Sequence, residues 1–258
     1  MARSGSAVDA AELEARVKDM YRQVAEQPHA EYHFEMGRTL ADRLGYPSDL
    51  LDVIPAQAIE SFAGVGYFFD LAGLGDGERV IDLGSGSGMD TFAAAAIVGD
   101  SGRVVGVDFT AEQLAKARRL AGGLAHVQFQ EGRIEQLPAD DAGFDCVISN
   151  GVINLSPDKP RVFAEAARVL RPGGRLAIAD ILTEQPLTDA IVCNADLWAS
   201  CIGGAAHEET YRQGVEAAGL RIERIRRNDY RFLSTQAQNA SATYGVHSVS
   251  LLAIKPMR

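Results

Sequence analysis

Cysteine is scarce and odd in number: the 258-residue chain has three, Cys146, Cys193 and Cys201. So sparse a set excludes a disulfide framework and points to a reducing compartment, here expected to be the cytoplasm. Long apolar runs are missing too. The longest candidate, Phe92–Val98, falls far short of the ~20 residues a membrane-spanning helix needs. The opening MARSGSAVDAAELEA lacks the apolar centre of a secretory signal. Basic charge is in deficit: 25 Lys and Arg against 35 Asp and Glu leave a formal net charge of −10, whereas a nucleic-acid-binding surface is normally basic. Repeats and low-complexity tracts do not occur. What is present is 47% hydrophobic residues, enough at this length to bury one proper core with embellishments.

The most informative stretch is VIDLGSGSGMD, Val80 to Asp90. An apolar strand carrying Asp82 breaks into Gly84, Ser85, Gly86 and Gly88, and a helical pattern follows from Met89. Glycines at such a junction let the backbone turn sharply and approach a ligand closely. Twenty residues past Gly88 a second apolar strand, RVVGVD, ends in Asp108, where a carboxylate can accept hydrogen bonds from both hydroxyls of a ribose. Spacing and charge select the cofactor. Dinucleotide sites use G-x-G-x-x-G to seat a pyrophosphate on a helix N-terminus. Here the third glycine comes one residue early, and Asp82 would repel a pyrophosphate and welcome an ammonium. S-adenosylmethionine has that ammonium, a sulfonium and no phosphate.

Strand-like runs recur at Arg79–Leu83, Arg103–Asp108, His126–Gln130, Phe144–Asn150 and Arg175–Leu182, with helix-like stretches such as Thr110–Ala121 and Pro160–Leu170 between them. That alternation predicts an α/β fold with a parallel sheet covered on both faces. Arg171-Pro172-Gly173-Gly174 is read as the break before the fifth strand. A helix at Glu208–Ala218 and strands at Arg221–Arg226 and Val246–Lys255 complete the pattern. Residues 1–60 read as a helical extension or lid, with helices at Ala11–Ala25 and His33–Leu44, and residues 61–258 as the main domain. Two connections, 183–206 and 228–245, are longer than such folds need and are expected to cover a ligand at the carboxyl ends of the strands.

After the third strand, EGRIEQLP is placed to lay backbone amides and Ile134 beside an adenine ring; after the fourth, SNGVINL puts Asn150, Gly151 and Asn154 at the strand end, facing the crevice. A thiol or carbon nucleophile with an ionisable proton can require a base, for which His29, His33, His207 and Tyr67 are candidates. His29 and His33 have helical i, i+4 spacing, but Pro28 and the lack of a third ligand leave solvated helix faces as the better reading, and no metal is expected. Trp198, Tyr211, Tyr230 and Phe232 are available for an apolar substrate wall or for the core.

From Glu60 to Pro256 the chain resembles class I S-adenosylmethionine-dependent methyltransferases, above all the arsenite methyltransferase branch and the ubiquinone/menaquinone-type C-methyltransferases. The resemblance rests on ESFAGVG, VIDLGSGSGMD, GRVVGVDFT, EGRIEQLP, FDCVISNGVINLSPDK, EAARVLRPGGRLAIAD and LWASCIGGA. It implies a Rossmann-like, doubly wound, seven-stranded sheet, mostly parallel with an antiparallel last strand. It also implies that Asp82 and the Gly84–Gly88 loop hold the methionine portion of the cofactor and that Asp108 binds the ribose. Phe109, Arg133 and Ile134 would border the adenine, while Asn150 and Val152 would lie beneath the methyl group. Cys201, Asn154 and His207 are the residues expected nearest the chemistry.

Arsenite methylation, as the resemblance implies, needs clustered thiolates. Cys201 in WASCIGGA matches one family thiol, but SFAGVGYFF and HSVSLLAIK have none where others are expected. If Cys193 and Cys201 share a helix, eight residues separate them by about 12 Å along its axis, too far for one arsenic atom. The leading expectation is therefore methyl transfer to a carbon, sulfur or oxygen nucleophile of a small organic metabolite, with no nucleic-acid or membrane partner; a homodimer is compatible with the sequence, which does not fix the number of subunits. Arsenite methylation and non-methylating chemistry on the same fold, such as cyclisation, are the alternatives. At about a hundredfold excess over its Kd, S-adenosylhomocysteine should raise Tm by about 5 °C or more. NAD should leave it unchanged; a preference for NAD in a thermal-shift assay reverses the cofactor reading.

Overall fold

Alternation of side chains along the central strands separates two apolar layers. In β1 (Arg79–Leu83) Val80 packs into one layer and Ile81 and Leu83 into the other. In β2 (Arg103–Asp108) Val104 and Val105 divide in the same way. A period of two with both faces apolar is what a sheet buried on both sides requires. The computed structural model describes residues 10–32, 34–192 and 202–257.

Five strands run parallel: β1, β2, β3 (Val127–Glu131), β4 (Phe144–Asn150) and β5 (Leu170–Thr183). A two-residue strand, β6 (Ala206–His207), pairs beside the end of β5. The final strand β8 (His247–Ile254) lies antiparallel between β5 and β7 (Arg221–Arg227). The order is β3-β2-β1-β4-β5-β8-β7, with β6 off this path, eight strands among the described residues. The expected seven-stranded, mostly parallel sheet with an antiparallel last strand is present, and β6 is the addition. Strand order reverses at β1, which has β2 on one side and β4 on the other. That switch point is where α/β sheets bind ligands.

One layer holds the helices α6 (Met89–Val98) and α7 (Ala111–Ala121), and on this side also pack α2 (Gly37–Leu44), α3 (Ser48–Val53), α4 (Ala56–Glu60) and α5 (Phe69–Ala72). The opposite layer holds α8 (Lys159–Val169) and the helix Glu208–Ala217, joined by Phe163 and Tyr211 with ring centroids 4.9 Å apart. The N-terminal α1 (Ala10–Glu26) buries Leu13, Val17 and Val24. Leu13 and Val17 pack with Leu155, beyond the end of β4.

Three expectations need correction. The helix expected from His33 starts at Gly37; His33 itself lies outside the described residues. The Arg-Pro-Gly-Gly break is an irregularity inside β5, where Leu170 pairs with Phe144 and Arg175 with Cys146, and Gly173 adopts φ +78° to absorb the extra residues. The 228–245 connection contains a helix, Thr235–Tyr244, capped by Ser234, whose hydroxyl accepts from the Ala237 amide at 3.2 Å, and ended by Gly245 at φ +64°. No helix among the described residues is long and apolar enough to cross a membrane. Ile81 is fully buried in the middle of the sheet. Ile81→Ala should cost about 2–5 kcal/mol, read in urea as a lower midpoint at an unchanged m-value.

Candidate active site

The loop between β1 and α6 takes its shape from three glycines in the left-handed region, Gly84 (φ +70°), Gly86 (φ +53°) and Gly88 (φ +95°). At Gly84 a second constraint applies, because an added Cβ would stand 2.4 Å from Val152. Amides of Gly84 and Ser85 donate to the Val107 carbonyl at 2.8 and 3.0 Å, tying the loop to the end of β2. Asp108, at that end, accepts from the Gly86 amide at 2.9 Å and from the Thr110 amide at 2.8 Å. The Thr110 hydroxyl and the Phe109 amide also act on this carboxylate, which lines the cavity. Burial raises the Asp108 carboxyl above the usual range, against those amide hydrogen bonds.

Above these ends lies a cavity of about 460 Å³, a size suited to a small molecule or cofactor. Nine of the eleven expected cofactor residues line it: Gly84, Ser85, Gly86, Asp108, Phe109, Arg133, Ile134, Asn150 and Val152. Gly88 and Asp82 stand behind it. At Gly88 a Cβ would meet Phe129 at 2.6 Å. Asp82 is only 2% exposed and accepts from the Thr91 hydroxyl at 2.6 Å. Burial, and next the charge of Asp90, push its carboxyl well above the usual range. Asp82, expected to hold the methionine portion, makes this internal contact and does not line the cavity, whereas Asp90, at the end of the same run, does.

The roof is α1. Leu13, Glu14, Val17 and Tyr21 line the cavity from above. Glu14 pairs with Arg133 at 2.5 Å, Gln113 donates to the Tyr21 carbonyl at 2.8 Å, and Lys116 reaches the Ser61 hydroxyl at 2.7 Å. The N-terminal segment therefore closes over the glycine loop of its own chain.

Of the residues expected nearest the chemistry, the two that are described stand off the cavity. Asn154 is fully buried in the turn Ile153–Leu155 and donates to Asp180 at 2.7 Å and to the Gly151 carbonyl at 3.0 Å, away from the cavity. His207 precedes the helix Glu208–Ala217, and its Nε2 lies 3.1 Å from the Glu184 carbonyl oxygen. Neither lines the cavity. Cys201, with Cys193 and Trp198, lies outside the described residues. His29 falls beyond the end of α1, so its supposed helical spacing to position 33 does not arise. Tyr211 belongs to the core, its hydroxyl on Asp180 at 2.8 Å. Sequence reading missed Asp90, Tyr46, Gln113 and the α1 face. Asp90 closes the same glycine-rich run, and Tyr46 stands between a helix-ending Gly45 and Pro47.

The methyltransferase domain family matches residues 74–227. The arsenite methyltransferase of Halobacterium salinarum is 39% identical over 191 residues, covering 73% of this chain and 49% of that protein. A ubiquinone/menaquinone biosynthesis C-methyltransferase of Erwinia tasmaniensis is 31% identical over 176 residues, 66% of this chain and 68% of that one. Among solved structures, an arsenic(III) S-adenosylmethionine methyltransferase from Chlamydomonas reinhardtii is 30% identical, with a TM-score of 0.65 over 86% of this chain and 74% of that chain. The chain spans about half the length of the Halobacterium relative.

A doubly wound sheet with an acid-flanked glycine loop at its switch point defines a nucleoside-cofactor enzyme. The chain belongs to the methyltransferase domain family, and S-adenosylmethionine is the donor named for the Chlamydomonas relative. The residues present fit that cofactor: Asp108 stands on the cavity wall at the end of β2, and acids outnumber bases there. Gly84→Ala should raise the Kd for S-adenosylhomocysteine about tenfold or more, since it adds crowding by Val152 to left-handed strain. Gly219→Ala, equally left-handed at φ +84° but in open space, should cost stability alone and leave Kd unchanged in calorimetry.

Proposed function

We propose that the enzyme methylates a small-molecule acceptor bearing a carbon, sulfur or oxygen nucleophile, in the cavity between the glycine loop and the N-terminal cover. The observation carrying this reading is the character of the wall. Beside Asn150 it is built from Ala58, Phe62, Ala63 and Gly64, and the described residues that line it include no cysteine.

S-adenosylmethionine supplies an electrophilic methyl group on a sulfonium, so the protein's task is chiefly alignment and exclusion of water. Asp108 takes the ribose hydroxyls, with the Gly84–Gly86 loop alongside. Phe109 and Ile134 flank the base, and Arg133 closes that edge through Glu14. Asn150 and Val152 form the floor beneath the reacting end. Asn150 is held rigid, its Oδ1 accepting from the Val65 amide at 2.7 Å and its Nδ2 donating to the Gly66 carbonyl at 3.0 Å. The α1 roof keeps bulk water from the acceptor.

Arsenite is the second reading, favoured by the names of the relatives at 39% and 30% identity. Trivalent arsenic calls for accessible thiolates. Cys146 is fully buried in β4, and burial pushes its thiol up to about 12, which keeps it protonated. Only Cys193 and Cys201 are then left for such a site. Incubation with labelled S-adenosylmethionine, organic acceptors and arsenite, followed by mass spectrometry, separates the readings. The expected product is an organic acceptor heavier by one methylene unit, with no methylated arsenic. Methylarsenic product that disappears in Cys201→Ser would establish the second reading, and an isomerised, unmethylated product would establish cyclisation chemistry.

A further inference from the structure

Asp90 stands in the first turn of α6, 6% exposed, on the cavity wall. Each of its carboxylate oxygens has one neutral donor. Oδ1 accepts from the Tyr46 hydroxyl at 2.5 Å and Oδ2 from Asn150 Nδ2 at 3.0 Å. Those donors are fixed in turn. Asn150 Nδ2 also reaches the Tyr46 hydroxyl oxygen at 3.1 Å, and the Tyr46 ring packs edge-on against Phe62 and Tyr67, with centroids 5.3 and 4.9 Å away. The sites not used on Asp90 are available to the cavity.

Among the described residues the hydrogen bonds on this carboxylate come from neutral groups alone, and its charge acts on a second acid, Asp82. Among the described residues lining the cavity, Arg133 is the only base, and it is already paired with Glu14. A buried carboxylate held only by neutral donors is costly, and a matching positive charge recovers that cost. An ammonium and a sulfonium are two such charges, both on the methionine end of the donor.

We propose that Asp90, braced by Tyr46 and Asn150, is the carboxylate that meets the positive charge of the donor's methionine end. Asp82, bonded to Thr91, acts one layer behind it as the brace of the first turn of α6. The proposal rests on the S-adenosylmethionine assignment and is independent of the acceptor.

Proton linkage follows. Burial raises the Asp90 carboxyl to about 6, against the hydrogen bonds from Tyr46 and Asn150. The groups facing it are Tyr46 from the cover, Asn150 from β4 and Asp82 from β1, with Tyr67 within reach of its charge, none of them basic. An arriving cation favours the ionised form and lowers that pKa, so binding near pH 6 expels a fraction of a proton. Donor affinity rises as pH climbs through that value.

Calorimetry on the full chain tests this, with S-adenosylmethionine and with 5′-methylthioadenosine, which keeps the adenosine and lacks both cationic groups. Asp90→Asn should weaken the first ligand about tenfold or more and the second by about twofold at most. Tyr46→Phe should act in the same direction, less strongly, whereas Asp82→Asn should weaken both ligands alike. Near pH 6, titrations in two buffers of different ionisation enthalpy should show proton release by the wild type with S-adenosylmethionine and none by Asp90→Asn. Equal weakening of both ligands by Asp90→Asn, or unchanged S-adenosylmethionine affinity, would overturn the proposal. Failure of the wild type to bind either ligand would overturn the donor assignment beneath it.

Discussion

Crowding of negative charge around one buried strand junction is the constraint to which the rest of this molecule answers. Asp82, Asp90 and Asp108 lie at the carboxyl ends of β1 and β2 and the start of α6, each under 10% exposed. Such groups repel one another and lose hydration, so each must be held by donors that do not cancel its charge. Thr91 holds the first, Tyr46 and Asn150 the second, and the amides of Gly86 and Thr110 the third. The left-handed turn at Gly86 brings its amide to Asp108. A scaffold that neutralised these acids internally would be more stable, and it would have nothing left to offer a cationic donor.

The cover over this junction is held by two kinds of interaction with different consequences. Its polar clasps are modest, because Arg133 is more than half exposed and its pairing with Glu14 is screened by solvent. The apolar contacts are stronger: Leu13 and Val17 are nearly fully buried, each contributing roughly 1.5–3 kcal/mol. Few such anchors hold a 17-residue helix. Opening α1 as a unit therefore costs far less than unfolding the sheet.

The sheet and the glycine loop were legible in the sequence because their signals are local. Alternating valines and isoleucines, ended by acids and glycines, mark β1, β2 and β4 to the residue. The Thr235–Tyr244 helix was not, since its composition is polar and small and it buries only Ala237 and Ala240. Its punctuation, Ser234 and Gly245, was nevertheless present. Asp82 and Asp90 stand in one short run, and nothing local decides which faces the ligand. Packing of Thr91 beneath the loop and of Tyr46 from the cover makes that choice. Asn154 shows the same limit. A polar residue after a strand suits a cavity or an internal partner equally well, and its partner Asp180 lies on β5.

Cys146 carries one more consequence. It sits in the middle of the sheet between Val80 of β1 and Arg175 of β5, without exposed surface and with its thiol held neutral. Alkylating and oxidising reagents attack thiolates, so the folded enzyme shields this sulfur chemically as well as sterically. Covalent labelling of the native protein thus leaves Cys146 unmarked. Modification of Cys146 becomes a marker of opened sheet, a distinction that peptide mapping reads directly.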